Sequence, residues 1–235
     1  MKMKIYLAVL LSIAVLTGCS SQTSLNDANE QLTHYSGGQV MGGVTSFYWY
    51  TEKLSLPYSA ADYVNAGEHG WYKTEYRWVD KKLRELVRTG EQLKGDTRVI
   101  PYSLHVRFNK DGEAIYQQYR LDHKVLPLKA DKLLLLTQEA ANIAKNTKAQ
   151  HRSGMRLIQG YWDGEKFETC AGESFHHVEF KTTLPSFVVH RLSTIDSYAA
   201  FIGRVKAKAV SVEELLMLDE DSHQCVTRPH LIDDK

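Results

Sequence analysis

Strict alternation of apolar and polar residues constrains this chain more than any other feature. Tyr72, Thr74, Tyr76 and Trp78 alternate with Lys73, Glu75 and Arg77, and Leu104, Val106 and Phe108 alternate with Ser103, His105 and Arg107. Successive side chains on a strand point to opposite faces, so this spacing predicts half-buried antiparallel strands from about 37 to 128. Turn signals separate the runs. Val79-Asp80-Lys81-Lys82 divides two of them, and Asn109-Lys110-Asp111-Gly112 leads into a run carrying Ile115, Gln117, Tyr119 and Leu121.

The period changes once. Leu133, Leu136, Ala140, Ile143 and Thr147 lie at helical spacing, Asp131 stands at the positive end of the dipole, and Lys145, Lys148, His151 and Arg152 crowd the exit before Gly154. These residues predict an amphipathic helix over about 131–149. Strand patterns then return over Met155–Trp162 and Glu165–Cys170, which flank Asp163-Gly164, and over Phe187–Leu192 and Tyr198–Val210. Ser211-Val212-Glu213-Glu214 is a capping-box pattern ahead of Leu215, Leu216 and Met217, and predicts a short C-terminal helix. The expected fold class is α+β: a mainly antiparallel sheet of meanders and hairpins, one central amphipathic helix and a short C-terminal helix. One continuous sheet and two subdomains divided near residue 150 both fit the pattern.

The first residues have a different character. Lys2 and Lys4 precede Ile5–Leu16, which is apolar except for Ser12, the layout of a secretory signal peptide and too short to span a bilayer. The stretch ends in Leu16-Thr17-Gly18-Cys19, which resembles the lipobox of bacterial lipoproteins. That resemblance implies removal of residues 1–18 and acylation of Cys19 with several chains (palmitate among them), enough for lasting membrane attachment. Ser20, rather than Asp, then implies the outer membrane. Residues 19–36 read as the lipidated cysteine and a polar tether, and 37–235 as a periplasmic domain. The leader takes two of the 29 basic residues, leaving 27 against 28 acidic ones, a formal net of −1. Without a basic excess, nucleic acid is not an expected partner.

Two cysteines remain in the exported part, Cys170 and Cys225, and such a pair is expected to form a disulfide that clips the C-terminal tail to the body. The ten histidines show no metal-binding spacing. His176 and His177 would point to opposite faces of a strand, and His105, His123, His176 and His190 could meet only through the fold. Ser174 lacks the glycine of a nucleophile elbow, a Cys170–His176 thiol pair would be blocked by the disulfide, and Glu165, Glu168 and Glu173 lie near aromatics without a known separation. No catalytic residue, cofactor or metal is expected, and the chain does not read as an enzyme. Ten of the 24 aromatic residues fall between Phe47 and Trp78. They read as core, with one exception: in the consecutive run Phe47, Tyr48, Trp49 and Tyr50, one alternate pair should be partly exposed, or lie under a loop, as a binding surface for a glycan or protein.

With the lipobox, the strand Thr74-Glu75-Tyr76-Arg77-Trp78, the turn Phe108-Asn109-Lys110-Asp111-Gly112 and the Leu-rich helix after Pro127, the chain resembles the YjaH-like family of small proteobacterial lipoproteins. The resemblance implies location and class, and carries over one functional residue, Cys19. The expected function is that of an outer-membrane lipoprotein facing the periplasm, a binding or interaction module with an envelope protein or glycan as partner. The alternatives are a carrier or sensor of an apolar ligand held between the sheet and the Leu133–Ile143 helix, and an envelope hydrolase.

Overall fold

Eight consecutive strands pair in chain order into one antiparallel meander: β1 (Leu32–Met41), β2 (Val44–Lys53), β3 (Leu56–Asn65), β4 (Gly70–Val79), β5 (Lys82–Lys94), β6 (Arg98–Phe108), β7 (Ala114–Leu121) and β8 (Lys124–Leu126). The structure is a computed structural model that describes residues 31–95 and 98–233. The expected signal peptide, Cys19 and the expected tether up to residue 30 lie outside the described residues. Four connections are two-residue hairpins, at Gly42-Gly43, Leu54-Ser55, Asp80-Lys81 and Asp122-His123, with both turn residues at positive φ. That backbone matches the right-handed twist of the flanking strands.

After the meander the chain forms α1 (Ala130–Arg152) and then β9 (Arg156–Trp162), β10 (Phe167–Thr169), β11 (Ser174–Phe175), β12 (His177–Phe180), α2 (Ser186–Thr194), β13 (Ser197–Lys206) and β14 (Ala209–Glu220). These strands make a second sheet in the order β11-β10-β9-β13-β14-β12, antiparallel except where β12 runs parallel to β14. No helix among the described residues is long and apolar enough to cross a membrane.

Strands make up 56% of the described chain and helix 17%, so the fold is mostly β, and the expected α+β class with a C-terminal helix is corrected. The capping-box segment lies inside β14. Ser211 pairs with Arg204 on one side and Glu179 on the other, while Val210 and Val212 are both buried at two-residue spacing. Pairing on both edges there outweighs the local capping preference. The converse happens at Phe187–Leu192, expected as a strand and found in α2, where only Val188 is buried and the carbonyl of Pro185 accepts the N–H of Val188 and Val189. The expected strand Tyr198–Val210 is a hairpin that turns at Ala207 and Lys208. The sheet is not continuous, yet Leu32–Lys235 forms one compact unit, and β1 begins five residues before the expected domain start at Gly37.

Three apolar clusters stack the layers. Leu136, Ala140 and Ile143 of α1 pack on Tyr48, Tyr50, Tyr76, Leu86 and Leu104 of the meander. Phe47, on the opposite face of β2, packs with Leu157, Tyr198, Ala200, Ile202 and Leu216 of the second sheet. The far face of that sheet carries Ile158, Phe167, Phe201, Val210 and Val212, partly roofed by α2, whose Leu192 carbonyl accepts the Trp162 indole N–H at 2.7 Å. The last turns of α1 are fixed by a buried carboxylate: Glu52 accepts from Lys148 Nζ at 2.6 Å, Tyr35 at 2.8 Å and Tyr50 at 3.3 Å. Burial opposes its charge, but these donors outweigh burial and hold its carboxyl below the ordinary value.

Cys170 and Cys225 are disulfide-bonded. From there an extended strap runs back to the meander. Val226 exchanges hydrogen bonds with the Gln159 side chain, Arg228 donates to Thr51 and Ser59 at 2.7 Å each, and buried Glu75 accepts the backbone N–H of Leu231 and Ile232 at 2.6 and 2.8 Å. The strap thereby covers part of the β2–β4 face that the second sheet leaves open.

β1 fits between α1 and the second sheet only because it carries Gly37-Gly38. A Cβ on Gly37 would run into Gln150 of α1, and one on Gly38 would stand 2.5 Å from the Ser46 carbonyl and 2.7 Å from Leu216. The Gln150 amide also bonds both backbone groups of Gly38. Gly38→Ala should therefore destabilise the protein by roughly 2 kcal/mol or more, as overpacking against backbone does, read as a lower urea midpoint at unchanged slope. An unchanged midpoint would mean that β1 is not held between the two layers.

Candidate functional site

The register of the meander places a polar row under α1. Tyr48 of β2, Asp62 of β3, Thr74 of β4 and Arg88 of β5 are successive cross-strand partners and share the helix-facing side of the sheet. Arg88, only 2% exposed, donates from Nε to Thr74 Oγ1 at 2.8 Å and from Nη2 to Tyr76 at 3.1 Å and to Glu139 Oε2 of α1 at 2.7 Å. Its guanidinium lies 3.9 Å from the centre of the Tyr72 ring. Burial works against its charge, but Tyr76, Asp62 and Glu139 around it raise its pKa well above the ordinary value, so it is a permanent cation inside the fold.

Asp62 is also 2% exposed. Its Oδ2 accepts from the Tyr76 hydroxyl at 3.1 Å, which links it to Arg88 through one shared phenol. Oδ1 is buried and has no hydrogen-bond partner among the described residues. Burial pushes the Asp62 carboxyl up to about 6, and the nearby Arg88 charge offsets that only in part. Beside this group a cavity of about 500 Å³ opens between the sheet and α1. Its wall combines Ser46, Tyr48, Asp62 and Tyr72 from the strands with Glu139, Asn142 and Asn146 from one face of the helix, and Gln39 and Met41 at the β1 end. A pocket of that size with a few convergent polar groups is suited to a small ligand.

A second cavity, of about 310 Å³, lies between the second sheet and α2. Trp162, Phe167, Val178, Phe180, Leu192 and Phe201 line it, so its chemistry is almost wholly apolar.

The residues singled out from sequence fall elsewhere. Phe47, Tyr48 and Tyr50 are buried and Trp49 is half-buried, because β2 is covered on both faces; the run is core and forms no exposed binding surface. Tyr48 alone reaches the polar cavity. His176 and His177 are both exposed, with His177 beside Glu179 at 3.1 Å, and His105 bonds Glu85 at 2.7 Å. Among the described residues no three His, Cys, Asp or Glu side chains converge as metal ligands would. Glu165, Glu168 and Glu173 are exposed, with Glu168 beside Lys166 and Glu173 beside Arg156. Cys19 lies outside the described residues. The Asp62–Tyr76–Arg88–Glu139 cluster was not singled out, although one signal was present: Arg88 falls between Leu86 and Gly90 at the inward positions of a strand, where a charge needs buried partners.

An acid that protonates more readily folded than unfolded withdraws stability as the pH rises between its two pKa values. For Asp62 that window runs from about 4 to about 6, and the loss is up to about 3 kcal/mol. Asp62→Asn keeps an oxygen for the Tyr76 hydroxyl and removes the titration. Urea unfolding at pH 4, 5, 6 and 8 should show the variant gaining on the parent across this window and at least matching it at pH 8. A variant clearly less stable at pH 8 would instead make the carboxylate a structural partner of Arg88.

No curated protein and no solved structure matches this chain. A family model described as protein of unknown function matches residues 36–230, from β1 through the disulfide to the strap, and the chain belongs to that family, DUF1481.

Proposed function

We propose that this protein is a lipid-anchored binding module of the bacterial outer membrane, YjaH-like in its lipobox, facing the periplasm and taking a small polar ligand in the cavity under α1. The observation that carries this reading is the unpaired, buried Oδ1 of Asp62 at a cavity wide enough for a ligand. A buried carboxylate oxygen without a donor weakens the fold by roughly 1–3 kcal/mol, and a ligand group that donates to it removes that penalty on binding. Glu139, Asn142, Asn146 and Gln39 on the same wall favour a polar ligand there over an apolar one held between sheet and helix. Acylation of Cys19 raises the effective concentration of the module near envelope partners, so a modest intrinsic affinity suffices.

A carrier of an apolar ligand is a second reading, favoured by the aromatic and aliphatic cavity beneath α2. Hydrolysis has no comparable support: Glu165, Glu168 and Glu173 are all exposed, and Glu168 and Glu173 lie in ion pairs.

Two measurements test these readings. Cys19→Ala should move the protein from the membrane fraction to the soluble periplasm, and continued tight sedimentation would refute the lipid anchor. Native mass spectrometry of the full-length protein taken from membranes should show a non-covalent polar adduct that Asp62→Asn loses. An apolar adduct indifferent to that substitution would favour the cavity beneath α2.

A further inference from the structure

We propose that the ligand of the cavity under α1 is a small cationic amine whose ammonium group sits against Asp62, between it and Glu139, with the rings of Tyr48 and Tyr72 alongside. This rests on the reading of the chain as a binding module. The charge balance of the site is the first argument. Two carboxylates, Asp62 and Glu139, share one guanidinium, so the ionised site carries a net charge of −1. Arg88 does not answer Asp62 directly. Its donors go to Thr74, Tyr76 and Glu139, and it reaches Asp62 through its charge and through the Thr74 and Tyr76 hydroxyls, with no hydrogen bond of its own to that carboxylate.

The unmade hydrogen bond is the second argument. Asp62 Oδ1 calls for a donor, and a charged N–H makes a bond about twice as strong as a neutral one. An anionic ligand would meet two carboxylates, and an apolar one would leave Oδ1 unpaired. Tyr48 and Tyr72 add ring faces that attract a cation, as Tyr72 already does with Arg88. The groups around the site that titrate or carry charge are Asp62, Glu139, Arg88, Tyr48, Tyr72, Tyr76 and Tyr102. Burial moves the Asp62 carboxyl toward neutrality, to about 6, so amine binding should weaken as the pH falls below that value.

Three probes of one ring size separate the claims: cyclohexylammonium, cyclohexanol and cyclohexanecarboxylate. Each is titrated at pH 7.5 into the full-length protein in detergent micelles, with calorimetry for affinity and backbone amide NMR for location. The amine should bind at least tenfold more tightly than the alcohol, the carboxylate more weakly than either, and the shifted amides should cluster at Ser46, Tyr72 and Asn142. Asp62→Asn should bring the amine down to the level of the alcohol. Glu139→Gln, at a side chain 40% exposed, keeps an oxygen for Arg88, should lower amine affinity by a smaller factor and serves if the first variant misfolds. Equal binding of alcohol and amine, indifferent to both substitutions, would overturn the amine while leaving a binding cavity. Absence of binding by all three would overturn the cavity reading itself.

Discussion

Burial of β1 and β2 on both faces is the constraint from which the remaining architecture follows. An antiparallel meander normally packs one face and wets the other, and its strands then read as clean alternation. Here the first strands of the meander have α1 against one face and the second sheet and strap against the other. Phe47, Tyr48 and Tyr50 can therefore all be buried in one strand. The same sandwiching demands Gly37-Gly38, since side chains there would collide with a helix on one side and with sheet and Leu216 on the other. Polar groups caught between the layers must be answered internally, and Glu52, Glu75 and Thr51 are answered by α1 or by the strap.

Asp62 is the exception, and the position of α1 explains it. The helix touches down through Leu136, Ala140, Ile143 and Thr147, and its last turns are drawn onto β2 by Lys148 and onto β1 by Gln150. Glu139, Asn142 and Asn146 lie on the flank of that contact stripe and stand beside the sheet without filling the space next to it. Apolar side chains at those helix positions would close the gap and gain burial. Instead the wall is amide and carboxylate, and the sheet below presents a row of buried polar residues in strict register. A destabilised carboxylate retained where packing was available is what a trade of stability against a binding site would leave.

Much of this was legible from the sequence where a single local rule governs. The alternation over β6 locates a strand whose burial follows the pattern, that over β4 locates the strand but not the burial of Glu75 beneath the strap, and the spacing from Leu136 to Thr147 gives the contact face of α1. Asp80-Lys81 announces its turn, whereas Leu54-Ser55, with a bulky residue at positive φ, announces nothing and is imposed by the pairing of β2 with β3. The capping box at Ser211 misleads because β12 pairs with β14 in parallel, a contact between segments 32 residues apart that no local window can detect. Phe187–Leu192 misleads in the other direction, because a short run of β-branched and aromatic residues fits a strand or a half-buried helix equally well. Arg88 was readable as an inward charge, but Asp62, Tyr76 and Glu139 join it only through the register of three strands and the docking of a helix about fifty residues away.

The two cavities differ in chemistry because they lie in different layers, and the layers are stabilised by different means. The space beneath α2 is bounded by the far face of the second sheet, where no charged side chain is buried and a nine-residue helix is held mainly by Val188 and the Trp162 bond. A cover that short, with Phe187 and Val189 left exposed, can detach with little loss of packing. The space under α1 is bounded by the most constrained strands of the protein and a helix fixed at both the Glu52 and Arg88 contacts. Its polar groups are held in place before any ligand arrives, so little ordering is left to oppose binding. A rigid, net negative pocket discriminates by charge, while a loosely roofed apolar one discriminates by size, and the first is the more selective device.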